Sequence, residues 1–111
     1  MGGSDLYTGT LDVLILKALS REPMHGYAIG LWLRRVSGEV FNVQEGVLYP
    51  ALHRLLRNRW VTAKWGTTET NRRAKFYALT PAGREHLQAE EAKLTEHSEA
   101  VLAVLKESGG L

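Results

Sequence analysis

Glu45-Gly46-Val47-Leu48-Tyr49-Pro50-Ala51-Leu52-His53-Arg54-Leu55-Leu56-Arg57 separates into two faces when wound at roughly 100° per residue. Leu48, Ala51, Leu52, Leu55 and Leu56 share one side. Gly46, Tyr49, Pro50, His53, Arg54 and Arg57 occupy the other. Tyr49, His53 and Arg57 recur at i, i+4 and i+8 and so form a single stripe. An apolar back with a polar, basic front suits an ordinary amphipathic surface helix. It equally suits a helix that packs its back on a core and lays its front in a DNA groove. Pro50 costs little inside a first helical turn and forfeits a hydrogen bond deeper in. The helix is therefore expected to start no earlier than about Glu45 and to run through 45–58.

The flanking sequence decides between these readings. Upstream, Thr8 or Thr10 offers an N-cap for a helix ending near Leu19, after a loose lead over residues 1–7. Leu11, Val13, Leu14, Ile15, Leu16, Ala18 and Leu19 leave that helix apolar nearly all round, so it needs cover on more than one side. A second subunit is one source of cover, and a later helix of the same chain is the other. Pro23 stops the first helix. Met24-His25-Gly26-Tyr27-Ala28-Ile29 opens a second, which Ser37-Gly38 ends through a left-handed glycine. His25 beside the turn is expected to make a structural hydrogen bond. Val40-Phe41-Asn42-Val43 is an extended link anchored by Phe41. Two short helices around a tight turn, followed by 45–58, make a helix-turn-helix pattern.

Downstream, Trp60-Val61-Thr62-Ala63-Lys64-Trp65 and Ala74-Lys75-Phe76-Tyr77-Ala78-Leu79-Thr80 read as paired strands rich in aromatic and β-branched residues. The loop between them is polar and ends on Arg72 and Arg73. A hairpin at 60–80, directly after such a helix, is a wing whose tip reaches phosphates or a minor groove. Thr80-Pro81 starts a last helix, with Thr as N-cap and Pro in the first turn. Leu87, Leu94 and Val101 recur every seven residues, and Leu102, Val104 and Leu105 extend the apolar end. Glu91 and Ser98 interrupt the seam, which suits a helix clasping another subunit's first helix rather than a long coiled coil.

The 111 residues suffice for one small domain, and 44% of them are apolar. There is no cysteine, which removes disulfides and thiolate metal sites. No run reaches the roughly 18 apolar residues of a membrane helix. The net charge of +2 is unevenly spread. Arg34 to Arg84 carries ten basic and three acidic side chains, a net of +7, while Glu85 to Leu111 carries six glutamates and two lysines, a net of −4. A basic middle with an acidic tail gives the molecule one face suited to phosphate.

These pieces together resemble the PadR family of bacterial transcriptional regulators. The similarity is carried by Gly9-Thr10-Leu11-Asp12-Val13-Leu14-Ile15-Leu16, Pro23-Met24-His25-Gly26-Tyr27, and Glu45 through Leu55. It continues through Asn71-Arg72-Arg73-Ala74-Lys75-Phe76-Tyr77-Ala78-Leu79-Thr80 and Gly83. The single last helix is similar to the short-tailed branch. The resemblance implies a mainly α fold: a winged helix-turn-helix of three helices plus a two-stranded wing, with an additional C-terminal dimerisation helix. It divides the chain into a DNA-binding unit at 1–80 and a dimerisation helix at 81–111. It also implies a cytoplasmic, nucleoid-associated homodimer on a palindromic double-stranded DNA operator, usually a repressor. In some relatives a hydrophobic or phenolic compound releases the DNA.

Carried over by position, the DNA contacts fall at the start of the third helix (Gln44, Gly46, Val47 and Tyr49) and in the wing (Asn71, Arg72, Arg73 and Lys75). The faces read above add His53 and Arg57. Arg54 or Arg57 is placed to donate two bonds to guanine, and Tyr49 and Lys64 to hold the backbone. Dimerisation falls to Leu11, Leu14 and Ile15 with Leu87, Leu94, Val101, Leu102 and Leu105. Tyr7, Trp32 and the last helix are the nearest candidates to line an effector pocket, with a plain core role for Trp32 as the alternative.

Two departures from the family pattern stand out. Val47 replaces a usual hydroxyl residue, and Leu56 and Arg59 stand where Glu and Gly are common. Asn58 is expected to take the left-handed turn that the glycine would supply. A winged-helix protein-interaction module without DNA binding is the rival function. A small metal protein or enzyme using Glu85, His86 and Glu90, or His97 and Glu99, has no supporting spacing. No enzyme activity, cofactor or metal is expected.

Overall fold

The computed structural model describes residues 2–107, with side chains from 9 onward. Four helices and a small antiparallel sheet follow one another as α1 (Gly2–Leu19), β1 (Met24–His25), α2 (Gly26–Val36), α3 (Glu45–Arg57), β2 (Val61–Thr67), β3 (Arg73–Leu79) and α4 (Pro81–Lys106). The sheet order is β1-β3-β2. This is the mainly helical winged-helix architecture expected from the sequence, with one strand more. Among the described residues no helix is long and apolar enough to cross a membrane.

α1 is the hub. It begins at Gly2 rather than at a Thr8 or Thr10 cap, so the lead expected to be loose is helical from its second residue. Leu11, Val13, Ile15, Leu16, Ala18 and Leu19 are all buried. Cover comes from α2, α3, β3 and α4 of the same chain. Ile15 is fully enclosed, and Leu11 and Leu87 are core residues beside it. These three, expected at a subunit interface, serve the core of their own chain: an all-round apolar helix needs cover, and here its own chain supplies it. Leu14 and Leu94 are half-buried against the same core. Val101, Leu102 and Leu105 are exposed on the half of α4 that extends beyond it.

Met24-His25 does not open the second helix. It pairs with β3, Met24 opposite Tyr77 and His25 opposite Phe76, and α2 starts at Gly26. His25 is then the N-cap, its Nδ1 accepting from the Ala28 N–H at 3.4 Å, a long bond supported by edge-on packing against Phe76. Gly38 takes the expected left-handed turn after α2, and Glu39 follows it there. In the link to α3, Val43 packs on the core while Phe41 is exposed, so Val43 is the anchor.

α3 starts at Glu45, within the expected bound. Pro50 lies in its second turn, where it removes the N–H that would bond the Gly46 carbonyl. At the other end, the Arg59 N–H donates to Leu56 O at 3.0 Å and the Trp60 N–H to Leu55 O at 3.1 Å. That pair is a Schellman cap, and it puts Arg59, not Asn58, at positive φ (62°). Local preference favours Asn58, but the cap's register is set by Trp60, whose indole stacks on His86 of α4 at 3.6 Å. Arg59→Gly is therefore expected to stabilise the protein by about 1 kcal/mol, seen as a higher urea midpoint with an unchanged slope.

Thr80 caps α4 as expected, its hydroxyl accepting from the Gly83 N–H at 2.9 Å and donating to Arg59 O at 2.8 Å. The cap of α4 and the cap of α3 are thus one hydrogen-bonded joint.

Candidate nucleic-acid interface

α3 buries Leu48, Ala51, Leu52 and Leu55 and leaves Val47, Tyr49, His53 and Arg57 exposed. The apolar back and the exposed stripe are where the 3.6-residue period puts them. Gln44 is the N-cap residue without a side-chain cap bond, and Gly46 is exposed in the first turn.

Tyr49 is not a free side chain. Its hydroxyl and ring lie over Gly26 at the start of α2, where an added Cβ would come within 2.8 Å of the hydroxyl oxygen. Gly26 therefore makes the seat on which Tyr49 rests. Burial raises the pKa of Tyr77 above the usual tyrosine value, and the neighbouring Tyr49 adds to the shift.

Arg54 is not free on the polar face of α3. Its guanidinium donates to both oxygens of Asp12 on α1, at 2.8 Å and 3.4 Å, and both side chains are mostly covered. Of Arg54 and Arg57, the two residues placed to bond guanine, Arg54 is thus held in a part-buried ion pair with both oxygens of Asp12. Its position on the helix places it beside Ala51 rather than His53. Arg54→Ala and Asp12→Asn are each expected to cost roughly 1–2 kcal/mol, and the two losses should not add. Arg57→Ala should change stability by less than about 0.5 kcal/mol. Urea melts of the three variants and the double variant check this.

The wing is a seven-residue ladder from Val61 opposite Leu79 to Thr67 opposite Arg73. Its loop is closed by the Thr68 N–H to Arg72 O at 2.8 Å, with Asn71 at positive φ (64°). Side chains alternate between faces. Val61, Ala63, Trp65 and Thr67 therefore share a face with Leu79, Tyr77, Lys75 and Arg73. This is the core face, prolonged past the core. Lys64, opposite Phe76, stands on the reverse face, away from Arg73 and Lys75.

On the prolonged face Trp65 is 57% exposed. The Arg73 guanidinium lies 5.0 Å from its ring centre and the Lys75 ammonium 5.6 Å. Across an open cleft lie Tyr49, His53 and Tyr27. The fold thus brings Tyr49 and His53 of the α3 stripe and the wing cations Arg72, Arg73 and Lys75 into the lining of one cleft, with Glu22, Glu45 and Glu69 beside them. Arg57 is exposed outside that lining. Trp65, Gly26 and Asp12 are the participants that the sequence reading passed over. For Trp65 the signal was present, since it has the parity of Val61 and Ala63 yet lies beyond the core.

Trp32 is half-buried against the core beneath Arg21, a packing role, and the Tyr7 side chain lies outside the described residues. His86, considered as a ligand, is committed to its stack on Trp60. Among the described residues no three His, Cys, Asp or Glu side chains gather as a metal ion requires.

The pattern that defines the Transcriptional regulator PadR-like family matches residues 15–89, about two thirds of the chain. The chain belongs to that family. It is a PadR-family transcriptional regulator and not an enzyme. Its fold is similar to that of a transcriptional regulator from Clostridium thermocellum, with 27% identity, a TM-score of 0.78, and coverage of 93% of this chain and 99% of that one. A PadR-like transcription factor from Bacteroides fragilis is similar at 29% identity and a TM-score of 0.74, over 92% and 96% of the two chains. Bacillus subtilis PadR, solved in complex with operator DNA, matches at 25% identity and a TM-score of 0.64, over 72% of this chain and 46% of that one. In this PadR-family chain the matched span takes in the α3 stripe, the Tyr49 seat and the wing, and stops within α4.

Proposed function

We propose that this PadR-family regulator is a sequence-specific, homodimeric repressor that binds a palindromic duplex operator through α3 and the wing. The observation that carries the proposal is the shared cleft, whose lining holds Tyr49 and His53 of α3 together with the wing cations. Arg72, Arg73 and Lys75 offer three cations to phosphates there. The net of +7 over Arg34 to Arg84 supports the same partner. So does the likeness to Bacillus subtilis PadR, itself solved with operator DNA. Arg57 and His53 are the side chains free to read base edges, with Val47 packing on a thymine methyl. Gln44, Gly46 and Asn71 lie where the backbone passes. Arg72, Arg73 and Lys75 add sequence-independent affinity.

The homodimer is supported by the far half of α4. Val101, Leu102, Val104 and Leu105 are all exposed there, an apolar run that water does not tolerate well on a lone helix. In this division of labour residues 1–80 read DNA and 81–111 pair the subunits, although Leu87 also serves the core. A small hydrophobic or phenolic effector, if bound at the dimer seam, releases the DNA. Such a regulator works at the nucleoid.

Fluorescence anisotropy against the DNA upstream of the protein's own gene, compared with a shuffled sequence, tests the proposal, alongside sedimentation of the free protein. A dimer that prefers the upstream fragment supports it. A monomer with no affinity for either duplex points instead to a protein-interaction module.

A further inference from the structure

Trp65 stands apart from every other aromatic residue of the sheet. Tyr77 is buried, and Phe76 is half-buried against Gly66 and His25. Trp65 is 57% exposed although it sits on the core face of β2, two residues beyond Ala63. A large apolar ring left in water is free energy recovered only when a partner covers it.

The chemistry of the neighbours restricts that partner. Lys75 is the direct cross-strand neighbour of Trp65 and Arg73 the diagonal one, and both cations lie against its ring. A wholly apolar partner would have to strip water from both charges, which is costly. An anionic partner that also offers a flat apolar surface satisfies all three side chains. The edge of duplex DNA, with its sugars between rows of phosphates, is such a surface. Held against the ring, the two long side chains also have less freedom to lose on binding. The cleft in front of Trp65 is the one that Tyr49 and His53 line, so a duplex lying on α3 meets this residue as well.

We propose that Trp65 is a direct nucleic-acid contact, its indole packing on the sugar edge of duplex DNA while Arg73 and Lys75 take the adjacent phosphates. The proposal rests on the DNA-binding reading above. It adds an apolar, salt-independent contribution to a wing otherwise composed of charges.

The test uses the full chain and a mixed-sequence duplex long enough for two half-sites, titrated at several salt concentrations. Trp65→Ala is expected to raise Kd about tenfold at every salt concentration, with the slope of log K against log salt unchanged. Trp65→Phe recovers most of that loss. Duplex addition changes the tryptophan emission of the unsubstituted protein, and the change is absent in Trp65→Phe although this variant still binds. Equal affinities for Trp65→Ala and the unsubstituted protein overturn the proposal and leave the DNA-binding reading standing. A slope reduced by about 0.9 in Trp65→Ala also overturns it, because the residue then acts only by orienting a phosphate-binding cation. If the unsubstituted protein binds no duplex, the DNA-binding reading falls first and this proposal with it.

Discussion

Gly83→Ala is expected to cost roughly 3–5 kcal/mol, a large part of the stability of so small a domain. A Cβ on Gly83 would overlap the carbonyl oxygen of Trp60, which is backbone and cannot rotate away. Relief requires the first turn of α4 to move off the end of α3. That movement breaks the Thr80 N–H bond to Trp60 O (3.0 Å) and the Thr80 hydroxyl bond to Arg59 O (2.8 Å), and it separates His86 from Trp60. All three sit on the joint that closes the Schellman cap of α3 and opens α4. The same substitution at Gly30, inside α2, meets no atom within 4 Å. Gly30→Ala should therefore stabilise by about 0.5–1 kcal/mol through helix propensity alone. Urea melts of the two variants should shift in opposite directions. Equal shifts would mean that the close approach at Gly83 is not a feature of the folded protein.

Replacing Arg72 and Arg73 together by alanine is expected to weaken binding to every duplex sequence, by about 10- to 100-fold at moderate salt. Neither side chain makes an ion pair among the described residues, and Arg73 only leans on Trp65. The loss should therefore appear in binding and not in folding. Each phosphate contact contributes about 0.9 to the salt slope, so the double variant should flatten it by up to roughly 1.8. The ratio of operator to mixed-sequence affinity should barely change, because phosphates carry no sequence information. Unchanged affinity and unchanged slope would remove the wing from the interface.

The parts legible in the sequence were those fixed by neighbours in the chain. The two faces of α3, the Thr80 cap and the hairpin all depend on spacing of a few residues. What escaped depends on residues far apart. β1 has two residues and is a strand only because Phe76 and Tyr77 lie alongside it. Arg54 belongs to the basic front of α3 by its charge, yet Asp12, 42 positions earlier, holds it. Asn58 tolerates a left-handed turn better than Arg59, but the docking of Trp60 on His86 fixes which residue must make it. The apolar girdle of α1 called for cover, and sequence alone could not say that its own chain provides it. The position of Lys64 is a different case. Its parity against Val61 was readable from strand alternation, and counting from the core outward separates it from Lys75.

The family membership fixes the class of the protein, while its partner rests on the cleft between α3 and the wing. Selection of bound fragments from a random duplex pool tests that assignment most directly. Two inverted half-sites with centres about one helical turn apart, roughly 34 Å, are expected, with enrichment lost in Arg57→Ala. A pool that emerges unenriched from the unsubstituted protein at low salt would contradict a sequence-reading role for α3.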